Sequence, residues 1–183
     1  MPLRPFRAVL TAFILAVGCK GADAGDDARG LGLTEAALSS PQKVRVYATA
    51  VRSAFDVGPD LSLLLDPRLL PRSSGYEGGA PVPPDLEAAL VRGKVVTGTC
   101  TPTSQGETRA PTCQAQRAGY AVRLSDVFQR GGDTVLVYVH STIFATPEAG
   151  QQPFSFEMAY QLVPNGSSWR VVSEGRVRQE GGK

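Results

Sequence analysis

The 183-residue chain has few of the side chains from which catalytic and metal sites are usually built. It holds one histidine, His140, one tryptophan and three cysteines. A single histidine without a cluster of cysteines or acidic residues excludes the common metallohydrolase sites. The sequence also has no G-x-S-x-G elbow, P-loop or Rossmann fingerprint. We therefore expect no metal and no cofactor, and we interpret His140, on a predicted strand, as a structural residue.

The chain also lacks an excess of charge of either sign. It carries 19 basic and 17 acidic residues, and two of the basic ones, Arg4 and Arg7, lie at the very start. The rest of the chain is therefore neutral and has no polybasic cluster. A neutral domain lacks the electrostatic footprint of a nucleic-acid-binding protein, so we expect no nucleic-acid partner.

The first residues have the three parts of an export signal. Arg4 and Arg7 precede the apolar run Ala8–Val17, and small residues follow. The run is about ten residues long, whereas a membrane-spanning helix needs roughly 20. No later stretch of the sequence is long and apolar enough to span a bilayer either. We therefore predict export of the chain rather than a permanent transmembrane helix.

The end of this signal resembles the lipobox of bacterial lipoprotein precursors, in which a small residue precedes an invariant cysteine, as Gly18 precedes Cys19. The resemblance implies cleavage before Cys19 and lipid attachment to it. Ala16 stands where the family usually has Leu. Lys20 stands where inner-membrane lipoproteins usually carry Asp, which favours the outer membrane. We thus predict a signal peptide at 1–18, a flexible tether at 19–33 and a membrane partner bound through the lipid.

An ordinary signal peptidase site is the alternative. Ala22-Asp23-Ala24 fits the A-x-A pattern, and cleavage after Ala24 releases a soluble periplasmic or secreted protein without Cys19.

Two cysteines remain after Cys19, and they flank a polar, turn-rich loop. An even pair in an oxidising compartment predicts a disulfide between Cys100 and Cys113. The alternatives are a redox pair or half of a metal site, which usually have the C-x-x-C spacing or further ligands nearby.

Helical signals come first along the predicted domain. Ser40-Pro41 indicates the N-terminus of an amphipathic helix that Gly58-Pro59 ends. A short apolar run, Leu61 to Leu65, predicts a buried strand. Asp85 is the expected N-cap of a second short helix, with Gly93 just beyond its end.

Strand-like alternation follows from Lys94 onward. The sequence predicts one lone strand, a hairpin turning at Gly131-Gly132 and a second hairpin turning at Asn165-Gly166. The predicted strands are Lys94 to Cys100, Gly119 to Gln129, Thr134 to Phe144, Phe154 to Val163 and Trp169 to Val177. We therefore predict an α+β fold: one or two N-terminal helices packed on a curved antiparallel meander of about five strands. This single domain spans 34–179, followed by a disordered tail at 180–183.

The second hairpin makes a specific prediction of register. If Asn165 and Gly166 are the turn residues, Leu162 opposes Trp169, and Phe154 opposes Val177 on the same apolar face. The two helices and the aromatic last hairpin resemble the cystatin and NTF2-like folds. That resemblance rests on Phe154 to Tyr160, Asn165-Gly166 and Trp169 to Val172, and it implies a cone-shaped pocket.

Asp126 and Tyr160 are the candidate catalytic residues, because Asp126 is expected to share an apolar face with Val122, Leu124 and Phe128. From these observations we expect a lipid-anchored, non-catalytic binding or assembly module of the cell envelope. Its partner is another envelope protein or a small apolar ligand, and its oligomeric state is open. The alternatives are an NTF2-like hydratase or isomerase using Asp126 with Tyr160, and a secreted small-ligand carrier.

Overall fold

A computed structural model describes residues 32–55, 61–72, 78–101, 119–144 and 154–177. These residues form a mixed α/β fold with two helices and an open, mostly antiparallel sheet of seven strands. The elements are α1 (Ser40–Ala54), β1 (Ser62–Leu65), α2 (Pro84–Arg92), β2 (Gly98–Thr99), β3 (Gly119–Leu124), β4 (Phe128–Gly131), β5 (Thr134–Phe144), β6 (Ser155–Asn165) and β7 (Ser168–Arg176). The strand order in the sheet is β2-β1-β3-β5-β6-β7, and β4 pairs with β5. The predicted combination of helices with a mostly antiparallel sheet is confirmed, but the sheet has seven strands rather than about five, and β1 pairs in parallel with both of its neighbours.

The first helix, α1, begins one residue earlier than its sequence signal. Ser39 rather than Ser40 is the N-cap, and its hydroxyl and backbone N–H both donate to Gln42 Oε1 in a capping box. Val46, Tyr47, Ala50 and Val51 are fully buried on the side that faces the sheet. The helix ends at Ala54, and Gly58-Pro59 lies outside the described residues.

The parallel part of the sheet is built around β1, a strand that the sequence predicted. β1 pairs in parallel with β2 and with β3, so it is not part of a meander. Parallel neighbours need a crossover, and α2 supplies it between β1 and β2. Pro83, not Asp85, is the N-cap of α2; Asp85 lies in the first turn and accepts a hydrogen bond from Ser40 Oγ at 3.0 Å, which joins the two helices.

The chain leaves α2 through an unusual residue, Lys94, which has a φ of 53°. The left-handed conformation that terminates many helices thus falls on Lys94 rather than on Gly93, whose φ is −75°. The predicted strand Lys94 to Cys100 shrinks to Gly98–Thr99, because this turn and the bends after it displace the chain from the sheet.

Lys94→Gly is expected to stabilise the protein. The left-handed conformation costs a residue with a Cβ about 1–2 kcal/mol, part of which is offset by the greater freedom of glycine in the unfolded chain. We expect a gain of about 0.5–1 kcal/mol in the free energy of unfolding, measured by urea denaturation. Lys94→Ala keeps the Cβ and is the control; an equal gain from it would contradict this account.

The predicted strand Gly119 to Gln129 is interrupted at Ser125-Asp126-Val127. Leu124 pairs with Val139 and Phe128 pairs with Leu136, so the interrupted strand contains one residue more than β5 does over the same stretch. An extra residue exchanges the two faces of a strand. Phe128 therefore lies on the face opposite to Val122 and Leu124, and the prediction that Asp126 shares one face with all three was wrong.

The last hairpin also differs from its predicted register. Its turn residues are Gly166 and Ser167, so Leu162 opposes Val171 instead of Trp169. Gly166 has a φ of 60°, which suits the first position of a two-residue hairpin turn. Gln161 opposes Ser173, which leaves Val172 as an extra, exposed residue. This bulge turns Val177 to the face opposite to the predicted one.

The two faces of the sheet bury different clusters. The helices cover the main core, to which β5 contributes Val135, Val137 and Val139. The second face holds a smaller cluster of Phe128, Leu136 and Ala159, with Leu33, Tyr138 and Val177 packed at its border. As expected of a central strand, β5 is apolar on both faces. Within the described part of the chain, no helix is long and apolar enough to cross a bilayer.

Candidate functional site

A groove of about 280 Å³ lies where α1 approaches the turns of the two hairpins; we call it the turn groove. Its wall from α1 includes Gln42 and Arg45, and Leu38 lies just before the helix. Arg45 Nη1 donates to the carbonyl of Ser167 at 2.8 Å, which ties the helix to the β6–β7 turn. The complete lining is Leu38, Gln42, Arg45, Gln129, Gly132, Asp133, Val135, Pro164, Gly166, Ser167, Ser168 and Trp169.

Two glutamines of the turn groove are oriented by hydrogen bonds within the protein. Gln42 uses its oxygen in the capping box of α1, while Gln129 Nε2 donates to the carbonyls of Gly132 and Thr134 at 2.5 and 3.2 Å. Each amide is thus held at one of its two ends. Trp169 contributes a half-buried indole.

Asp126 lies in the interruption between β3 and β4, half-buried. Burial raises the pKa of its carboxyl, and Glu35 raises it further, while Arg72 and Lys43 act in the opposite direction. Glu35 is brought there because the segment before α1 pairs with β4 at Phe128.

The phenol that responds to the charge of Asp126 is that of Tyr47, whereas the pKa of Tyr160 responds to Glu174. Tyr47 is buried and its hydroxyl donates to the carbonyl of Ser125 at 2.9 Å. Burial raises the pKa of Tyr47, and the charges of Asp126 and Glu35 add to the shift. Tyr160 lies on β6 in the main core, where burial and then Glu174 on β7 raise its pKa to about 12. β5 separates the strand of Tyr160 from Asp126.

Asp126→Asn is expected to change the pH dependence of stability. Because the native environment raises the pKa of Asp126 above its unfolded value, ionisation destabilises the native state as the pH rises through the acid range. We expect the variant to have a higher Tm than the wild type at pH 7, and the difference to shrink towards pH 3. Thermal unfolding followed by circular dichroism measures this, with the exposed Asp133→Asn as control. A wild-type advantage at pH 7 would contradict it.

A row of buried charged residues crosses the second face of the sheet; we call it the charged row. It consists of Asp66, Arg123, His140 and Glu157, each at most 8% exposed. Arg123 opposes His140, and His140 opposes Glu157, with Nδ1 and Oε2 3.9 Å apart. His140 Nε2 also lies 3.3 Å from Thr142 Oγ1.

Arg123 is the best-connected member of the charged row. Its guanidinium donates to the carbonyls of Arg68, Leu69 and Gly78, at 3.1 and 2.9 Å for the first two, and its Nε lies 3.8 Å from Asp66 Oδ2. It thereby holds the chain after β1 against the sheet. His140 therefore lies between two buried charged residues, Arg123 and Glu157.

Sequence reasoning did not find Arg123 and Glu157, because their burial follows from the pairing of β3 and β6 with β5, and these strands come from separate parts of the chain. Sequence reasoning also missed Ser40 and Lys43, which have the S-x-x-K spacing of penicillin-binding proteins. Ser40 bonds to Asp85, and Lys43 pairs with Glu35 at 2.6 Å, so Lys43 is not placed to accept a proton from Ser40.

The predicted lipidation and disulfide sites are only partly covered by the structure. Cys19 and Cys113 lie outside the described residues, and Cys100 is buried. The Cys100–Cys113 disulfide therefore stays a prediction.

In the described ranges, no three His, Cys, Asp or Glu side chains are grouped so that they could hold a metal ion. No known protein family matches the chain, and no curated protein matches it.

Proposed function

We propose that the chain is a lipid-anchored, non-catalytic binding protein of the bacterial cell envelope whose ligand binds in the turn groove. The anchor is supported by the sequence around Cys19. Binding is supported by one observation: the groove combines the half-buried indole of Trp169 with Gln42 and Gln129, whose side chains are held by hydrogen bonds within the protein. A site whose polar groups are oriented before binding loses little entropy when the ligand arrives.

The geometry favours binding over the proposed hydratase or isomerase chemistry. That chemistry requires Asp126 and Tyr160 to approach one substrate, whereas they lie on elements separated by β5 and respond to different charged neighbours. Asp126 also does not line the turn groove.

The anchor is tested by expressing the full chain in a Gram-negative host. We expect incorporation of labelled palmitate, and an intact mass that begins at Cys19 with added acyl groups and lacks two hydrogens for the disulfide. Cys19→Ser is expected to abolish the label and the membrane association. A soluble product that begins at Gly25 would instead support the secreted alternative.

The binding site is tested by thermal unfolding of the full chain with defined sugars, amino acids, nucleotides and fatty acids. A ligand at ten times its Kd adds about 1.4 kcal/mol, which raises Tm by about 3–6 °C. We expect one class to do so, and Trp169→Ala to abolish the increment. Val172→Ala, on the exposed bulge outside the groove, is the control. An increment that Trp169→Ala leaves unchanged would place the site elsewhere.

A second candidate is acid–base catalysis by Asp126 with Tyr47, favoured by the raised pKa of this carboxyl beside a buried phenol. Asp126→Asn separates the two functions. An enzyme turns over a ligand that raises its Tm, and Asp126→Asn abolishes that turnover while the rise in Tm remains. A binding protein shows no turnover in either form, and the variant keeps the rise in Tm.

A further inference from the structure

The chain contains a single asparagine, Asn165, and the residue that follows it is Gly166. We propose that this pair is a site of spontaneous covalent modification, at which Asn165 is deamidated to aspartate and isoaspartate, and that opening of the β6–β7 turn sets the rate. The inference does not depend on the proposed binding function or on the lipid anchor.

The reaction joins the asparagine side chain to the backbone nitrogen of the next residue. The nitrogen of Gly166 attacks Cγ of Asn165, the bond between Cγ and Nδ2 breaks, and ammonia leaves with the proton of the Gly166 N–H. Water then opens the resulting succinimide ring. Cleavage between Cγ and the nitrogen leaves aspartate in a normal main chain, whereas cleavage at the main-chain carbonyl leaves isoaspartate, whose main chain runs through Cβ and Cγ.

Both reacting groups of this pair are accessible. Asn165 and Gly166 are exposed at the tip of the hairpin, and glycine has no Cβ to shield its nitrogen. Within the described part of the chain, neither the side-chain amide of Asn165 nor the N–H of Gly166 forms a hydrogen bond. The two groups therefore have no interaction of their own to break before they react.

The main chain at Asn165 restrains the reaction. Asn165 is the last residue of β6, where it pairs with Ser168, and its carbonyl accepts a hydrogen bond from Ser168 Oγ at 2.8 Å. In an extended strand a side chain is turned away from the next backbone nitrogen, so ring closure requires the peptide plane between Asn165 and Gly166 to rotate. Because rotation disrupts both interactions with Ser168, we expect the reaction to proceed from the opened turn. The end of a hairpin opens at a lower cost than the whole domain.

Isoaspartate would change how the hairpin contacts α1. It adds an atom to the main chain between Asn165 and Gly166 and so displaces the turn from its pairing. Gly166 and Ser167 line the turn groove, and the carbonyl of Ser167 accepts the hydrogen bond from Arg45 Nη1 at 2.8 Å. We therefore expect the isoaspartyl form to lose this contact and to have a lower Tm.

The test incubates the full chain in detergent at neutral pH and follows the peptide that contains Asn165 by mass spectrometry. Deamidation replaces NH3 by H2O in that peptide, and an isoaspartyl methyltransferase labels only the isoaspartyl product. We expect both products to increase with time in the native protein. Asn165→Gln should abolish them, because the larger ring closes much more slowly. A native chain that stays unmodified while the urea-unfolded chain is converted would overturn the proposal.

Ser168→Ala tests the restraint by the turn. It removes the hydroxyl that holds the carbonyl of Asn165, so we expect deamidation about two- to tenfold faster than in the wild type. Ser173→Ala makes the same change at an exposed position of β7 away from the turn and should leave the rate unchanged. The urea-unfolded chain should react faster than every folded form. Equal rates in the wild type, Ser168→Ala and the unfolded chain would overturn control by the turn.

Thermal unfolding of the converted protein tests the structural consequence. Asn165→Asp introduces the carboxylate without lengthening the main chain, so it separates the effect of charge from the effect of length. We expect Asn165→Asp, measured when freshly purified, to have a Tm close to that of the wild type, and the isoaspartyl form to have a lower one. Equal Tm values for these two forms would overturn the displacement of the turn.

Discussion

Arg123→Leu is expected to lower the free energy of unfolding by about 3–5 kcal/mol. Arg123 is 5% exposed and donates to three backbone carbonyls, and Asp66, which is 6% exposed, lies 3.8 Å from its Nε. Leucine leaves these carbonyls without this donor, and among the residues that the structure describes it leaves the carboxylate of Asp66 with Arg68 as its ionic partner at 3.5 Å. Urea denaturation monitored by Trp169 emission measures the loss.

Three further variants determine whether geometry or charge causes this loss. Arg123→Lys keeps the charge but not the planar fork, and we expect it to cost about 2 kcal/mol. Asp66→Asn in the Arg123→Leu background should restore part of the stability, because the uncompensated charge is removed. Arg170→Leu, an exposed arginine on β7, is the control and should cost less than about 0.5 kcal/mol. Similar losses for Arg123→Leu and Arg170→Leu would contradict a buried clamp.

Gly119→Ala is expected to have the second largest effect. It should lower the free energy of unfolding by about 2–3 kcal/mol. Gly119 is the first residue of β3 and pairs with Ser62 of β1. A Cβ at this position would overlap the carbonyl oxygen of Ser62 and would lie 2.9 Å from the Cβ of Ser62. Because the obstacle is backbone, the alanine can be accommodated only if β1 and β3 separate, and that breaks the parallel part of the sheet.

Gly98→Ala is the matched control on the other side of β1. A Cβ at Gly98 would touch only the Cδ2 of Leu64 at 3.4 Å, an ordinary contact. We expect its stability to lie within about 0.5 kcal/mol of the wild type. Amide hydrogen exchange should show faster exchange in β1 for Gly119→Ala only; equal behaviour of the two variants would refute the close approach.

Local signals in the sequence predicted most element positions. Pro41 and the apolar spacing located α1, the run Leu61 to Leu65 located β1, and glycines located both hairpins. The errors lie at places where the chain departs from regular alternation. The interruption at Ser125 depends on hydrogen bonds in both directions between Ser125 and Tyr138 on β5. No feature within either strand alone indicates that pairing.

The candidate site was predicted less well, because its residues are far apart in the chain. The pKa of Asp126 is raised by burial and by Glu35, and Glu35 comes from the segment before α1, far from Asp126 in the chain. Trp169 was predicted to oppose Leu162 in an apolar face. With the turn moved by one residue, Trp169 opposes Pro164 and lines the turn groove.

The sequence by itself determined the features that depend on neighbouring residues: the approximate positions of the helices, of most strands and of the hairpins, and the composition of the two faces of β5. The export signal and the lipid site at Cys19 are predictions of the same local kind. Only the tertiary structure decided strand order, the parallel pairing of β1, and which face each side chain occupies beyond a bulge. A single extra residue exchanges the faces of everything after it, and long-range pairing determines where that residue lies.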